Sequence, residues 1–173
     1  MKNWLLFFFL GGTLAMMFVM VKTGATLKTD ASPMGIIDLE FAYNISKAKA
    51  VLNAWAPTHE LDNISIAKTN TYWDFLFLFF YAGFLFIACK KIAITLKGPV
   101  SKAGNLIAWA AVGAGFLDVL ENAGMLITLN GQLSSTVAFC TTCISIIKWG
   151  LVIIAVLYVL TGLLVLGYRK IKF

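Results

Sequence analysis

The chain has 173 residues, 60% hydrophobic and 13% charged, with a formal net charge of +6. A soluble domain averages about 45–50% apolar and about 25% charged residues, so this balance excludes an ordinary soluble core. The positive charge does not point to nucleic acid, because the basic residues stand at the ends of hydrophobic blocks instead of forming a groove or stripe.

Four blocks, at about 4–21, 72–89, 105–129 and 144–167, are each about long enough for a membrane-crossing helix, which takes roughly 20 residues. They predict an all-α integral membrane protein, a four-helix transmembrane bundle in a single domain over 1–173. The first block follows Met1 and Lys2 and has the basic start of a signal peptide. Its apolar run exceeds the roughly 7–15 residues of a signal-peptide core, and Thr23-Gly24-Ala25 is a poor cleavage site, so it reads as a retained span.

The segment 22–71 is too short and too apolar for an independent domain. Ser32-Pro33 predicts a helix start, with proline at the first helical position. Ile37, Phe41, Ile45, Ala48, Leu52 and Trp55 then recur at helical spacing, while Asn44, Lys47, Lys49 and Asn53 lie off that stripe. Ser46 offers an alternative start for a separate, shorter helix. Either way an amphipathic element over about 33–56 lies in the membrane interface or caps the bundle, with Trp55 suited to the headgroup zone. It acts as a shield for helix ends or as a lid over a site. Asp38 and Glu40 read as solvated interfacial charges, unless the segment folds over the bundle and Glu40 joins a network beneath it. His59, beside Pro57 and Glu60, reads as a surface residue.

An ionised side chain near the middle of a bilayer costs roughly 2.5–3.5 kcal/mol on insertion scales, so intramembrane charges are candidates for function. The second block carries Asp74, with Tyr81 two turns along the same face. The third carries Asp118, Glu121 and Asn122 at spacing i, i+3, i+4, which places all three on one face. Met125 continues that face in one direction. Gly115, Ala114 and Ala111 continue it in the other, and their small size lets a neighbouring helix approach. The fourth carries Lys148, with Ser145 and Thr141 on its face. Two acids one turn apart repel when both are ionised, so one is expected to be neutral or compensated by Lys148.

Lys2, the group Lys90, Lys91, Lys97 and Lys102, and the group Arg169, Lys170 and Lys172 fall on one side of a four-span chain. Lys and Arg in short loops favour the cytoplasm, so both termini and the 90–104 loop are expected inside and 22–71 outside. At about 1.5 Å per helical residue, Asp74, Asp118, Glu121 and Lys148 then share the outer third of a hydrocarbon core about 30 Å thick.

The segment 36–55 (IIDLEFAYNISKAKAVLNAW), the run 72–77 (YWDFLF), Leu117-Asp118-Val119-Leu120-Glu121-Asn122 and Lys148-Trp149 together resemble a family of small, uncharacterised bacterial four-span inner-membrane proteins with a DxxEN motif in the third span. The resemblance covers most of the chain in short motifs. It implies a four-helix bundle with Glu40, Asp74, Asp118, Glu121, Asn122 and Lys148 as its ligand-binding candidates, and it implies no reaction.

Other chemistries find few parts. Cys140 and Cys143 form a C-x-x-C pair, but membrane thiol oxidoreductases need a second pair, and only Cys89 remains, at the opposite end. One turn of continuous helix is also poor disulfide geometry, so these thiols read as small apolar groups. A single histidine cannot build a zinc site, and Lys148 disfavours a hard cation among the acids, so neither metal nor cofactor is expected. Thr128, Thr141 and Ser145 are hydroxyls without a histidine base, there is no glycine-rich phosphate loop, and Gly11-Gly12 read as helix-packing positions. A carboxylate acid/base pair remains open. Three functions follow: a membrane protein whose polar pocket binds a lipid headgroup or small amphiphile, an intramembrane lipid-modifying enzyme, or a structural subunit whose polar cluster only fixes packing. Membrane lipids are the expected partners. A homo-oligomer or a larger complex stays open.

Overall fold

The computed structural model describes residues 3–56 and 62–171, the last three as backbone only. His59, Pro57, Glu60, Lys2, Lys172 and the side chains of Arg169 and Lys170 lie outside this description. The described chain runs α1 (Asn3–Thr23), a single 3-10 turn (Ala25–Leu27), α2 (Ile36–Glu40), α3 (Ile45–Ala54), α4 (Asn63–Thr95), α5 (Pro99–Leu129) and α6 (Ser135–Ile171). Among the described residues α1, α4, α5 and α6 are long and apolar enough to cross a membrane. The protein is an all-α, multi-pass membrane protein.

α4 and α6 begin well before their hydrophobic blocks, because polar caps start them. Asp62 Oδ1 accepts the Ser65 N–H at 3.1 Å, and Ser134 Oγ accepts the Val137 N–H at 3.5 Å. Such caps satisfy N–H groups that a helix start leaves unpaired. At the opposite end, α4 and α5 are joined by residues 96–98 alone. Gly98 takes φ +74°, open only to glycine at low cost, and Pro99 opens α5. The basic residues assigned to a 90–104 loop therefore sit mostly on helix ends.

α4, α5 and α6 pack on one another, whereas α1 packs mainly along α4. Small residues set these distances. Ala108, Ala111 and Ala114 are fully buried, and a Cβ on Gly115 would stand 3.0 Å from Ala82. On the α1 side the fit is reciprocal: Phe80 fills the notch at Gly12, and Phe9 fills the notch at Gly83. Gly11 faces open space, so only Gly12 of that pair is a packing position. Gly83→Leu is expected to overpack this seam and lower stability by about 1–3 kcal/mol. Gly113→Leu, at a position with nothing within 4 Å, is the control. Unfolding midpoints in detergent separate the two.

The amphipathic segment folds over one end of the helices, here called the cap end. It is two short helices instead of one. Ser32-Pro33 lies in a tight turn before α2, where Ser32 Oγ is 3.0 Å from Asp38 Oδ2 and the Met34 N–H donates to the same oxygen at 2.8 Å. Asp38 is thus tied into a turn and is not a free interfacial charge. The helix break falls at residues 41–44, and Asn44, not Ser46, caps α3 by accepting the Lys47 N–H at 2.9 Å. Trp55 does not face headgroups. It is fully buried, its Nε1–H donates to the Leu27 carbonyl at 2.8 Å, and it packs with Leu27, Leu39, Val51, Ala67, Met125 and Leu129.

Candidate functional site

A polar layer lies between two apolar clusters. On the cap side is the Trp55 cluster. On the other side Tyr81, Leu85 and Cys89 of α4 pack with Ala108 and Ala111 of α5 and Ala155 and Val159 of α6. The layer sits roughly two to four turns inside the cap-end termini of α4, α5 and α6. It falls in the cap-side half of all three helices.

Spacing on α5 dictates its centre. Asp118, Glu121 and Asn122 are all buried on one face, and α6 brings Lys148 to that face. The Lys148 ammonium donates to Glu121 Oε1 at 2.8 Å and Asp118 Oδ1 at 3.0 Å. It bridges the two acids that would otherwise repel. Asp118 Oδ2 accepts the Tyr81 phenol from α4 at 2.7 Å.

α2 closes the layer from the cap. Glu40 Oε2 stands 3.8 Å from Lys148 Nζ and accepts the Trp149 indole N–H at 3.1 Å. Its backbone carbonyl accepts from Thr142 Oγ1 at 3.0 Å and Ser145 Oγ at 3.4 Å. Glu40 is 7% exposed, so it joins the network and is not a solvated charge. The fourth carboxyl, Asp74 of α4, is only half-buried and accepts from Asn122 Nδ2 at 2.7 Å. All six candidates from the sequence thus fall in one layer, in which Glu40, Asp118 and Glu121 gather on Lys148 and Asp74 pairs with Asn122.

Two acceptors in it have no partner: Glu121 Oε2 and Asn122 Oδ1. Both residues have no exposed surface. Leaving a buried polar atom unpaired costs about 1–3 kcal/mol, so each such atom calls for an explanation. Two surface hollows lie elsewhere. One of about 240 Å³ is lined by Thr23, Ser65, Ile66 and Thr69. One of about 280 Å³ is an apolar groove between α1, α4 and α5, with Phe9, Leu78 and Phe116 on its walls.

The candidate nucleophiles are turned to other uses. Thr128 Oγ1 donates to the Gly124 carbonyl at 3.1 Å, and Ser145 Oγ to the Thr141 carbonyl at 2.9 Å. Cys89, Cys140 and Cys143 are free thiols. Cys140 is exposed on α6, so it is not the buried packing group expected, whereas Cys143 is partly buried. Lys148 fills the centre that a metal ion held by Asp118, Glu121 and Glu40 would need.

Sequence reasoning placed Tyr81 on the face of Asp74 but did not make it a member of the layer; it named Trp149 only in the Lys148-Trp149 motif, with no role, and passed over Thr142. Tyr81 was reachable, since a phenol two turns from an intramembrane acid needs its own partner. Trp149 and Thr142 were not, because both bind a residue on α2, whose position no periodicity reveals. The chain matches no protein-family model, no curated protein and no solved structure, so its function is read from this chemistry.

Proposed function

We propose that the polar layer is a binding site for the headgroup of a lipid or another small amphiphile, entered on the cap side. The observation that supports it is the pair of buried, unpartnered acceptors on Glu121 and Asn122. A layer evolved only to clasp helices has every reason to pair its polar atoms fully, since a half-satisfied network is worse than an apolar core. Two features support access: Asp74 is half-buried at the layer's edge, and the closing residue Glu40 stands on a five-residue helix between Gly35, at φ +65°, and the 41–44 break. The hydrocarbon around the spans is where an amphiphile is concentrated. We place the cap outside and both termini in the cytoplasm on the strength of the basic residues at the opposite helix ends, and the family resemblance implies that the membrane is a bacterial inner membrane.

The competing reading, a structural clasp, draws on Lys148 and its three carboxylate neighbours. One experiment separates the two. Native mass spectrometry of the purified chain is expected to show copurified lipid, reduced several-fold in Glu121→Gln. If that variant melts earlier but keeps its lipid unchanged, the clasp is the better account.

A further inference from the structure

We infer that the group accepted by this site is a protonated primary amine, seated between Asp74 and the spare acceptors of Glu121 and Asn122. The inference rests on the binding reading above and supplies its chemistry.

The sign of what is missing carries the argument. Each of the layer's principal donor groups already makes a hydrogen bond. Lys148 donates to Asp118 and Glu121, Tyr81 to Asp118, Asn122 Nδ2 to Asp74 and Trp149 to Glu40. Thr142 and Ser145 donate to the Glu40 carbonyl. The layer's unpartnered atoms, Glu121 Oε2 and Asn122 Oδ1, are both acceptors. Charge has the same sign of deficit, because the layer holds four carboxyls (Glu40, Asp74, Asp118 and Glu121) and one ammonium, with three of the four within 4 Å of it.

A complementary ligand therefore brings N–H or O–H donors and positive charge. A phosphate or carboxylate brings neither, and it would add negative charge beside four carboxyls and leave Glu121 Oε2 and Asn122 Oδ1 unpaired. A quaternary ammonium brings charge without a donor and leaves both orphan acceptors unpaired. A primary ammonium brings one charge and three N–H groups, enough for Asp74 and the two spare acceptors together. The same chemistry is offered by an aminolipid headgroup and by a small free amine.

The test uses the full chain in detergent, titrated with equal mole fractions of phosphatidylethanolamine and phosphatidylcholine carrying identical acyl chains, and read by native mass spectrometry. The two lipids differ in having N–H donors or none. One charge-assisted hydrogen bond corresponds to a preference of about tenfold or more for the ethanolamine lipid. Asp74→Asn, at a half-buried position where folding is least at risk, is expected to abolish that preference. Displacement by millimolar ethanolamine identifies a free amine as a sufficient ligand, whereas resistance to it identifies the lipid headgroup. Either result supports the inference. Equal adducts of both lipids in the wild type, lost together in Glu121→Gln, overturn the amine but leave headgroup binding standing. Equal adducts in wild type and Glu121→Gln alike overturn both. A preference that survives Asp74→Asn overturns the placement.

Discussion

Lys148→Met is expected to be the most damaging single substitution in the layer, at about 3–5 kcal/mol, because it leaves buried carboxylates without their counter-ion. Asp118, Glu121 and Glu40 lie within 4 Å of its ammonium, and none has much solvent to turn to. The cause is the uncompensated charge and not the lost packing, since Met matches the aliphatic stem. Neutralising one acid as well is therefore expected to return part of the loss. Lys148→Met with Glu121→Gln is expected to fall short of the sum of the two single effects, as contacting groups are not additive. Unfolding titrations in mixed micelles for the four members of that cycle measure the coupling. Additive losses would show that the ammonium and Glu121 do not interact.

Trp55→Ala is expected to cost about 3–5 kcal/mol, the usual loss for truncating a fully buried tryptophan. The effect is local. Trp55 joins the end of α3 to the 3-10 turn after α1 through the Leu27 carbonyl and seats the cap on Ala67 of α4 and Met125 and Leu129 of α5. Its removal is expected to free the 24–56 segment while α4, α5 and α6 stay packed. Limited proteolysis reads this directly, with new cleavage confined to the cap and the long helices left intact. The same variant would withdraw Glu40 from Lys148, so its lipid content connects the cap to the site beneath.

The sequence made the long helices and the polar layer legible for one reason: in hydrocarbon a polar side chain has few alternatives to another polar side chain. Asp118, Glu121 and Asn122 at helical spacing predicted a single face, and Lys148 was the available cation. What hydropathy missed is what it does not measure. The capped starts at Asp62 and Ser134 are polar, so they lie outside any apolar block. The break between α2 and α3 was hidden because the apolar stripe keeps its phase across residues 41–44. Trp55 was misplaced because an amphipathic tryptophan suits an interface and a small core equally well, and only the Leu27 carbonyl decides between them. The side-on position of α1 depends on the Phe9–Gly83 and Phe80–Gly12 notches, a pairing between distant residues that no local pattern encodes.

The layer is drawn from residues 40, 74, 118, 121, 122 and 148, and its cation comes last. During synthesis α4 and α5 leave the ribosome with Asp74, Asp118 and Glu121 aboard, before Lys148 exists to answer them. Each acid carries an insertion cost that its eventual partner removes. Arrival of α6 is therefore the step that gives Asp118 and Glu121 of α5 their counter-ion, and Glu40, made first, finds its partners Thr142, Ser145 and Trp149 only then. A nascent chain stopped short of residue 148 presents Asp118 and Glu121 with no counter-ion from α6.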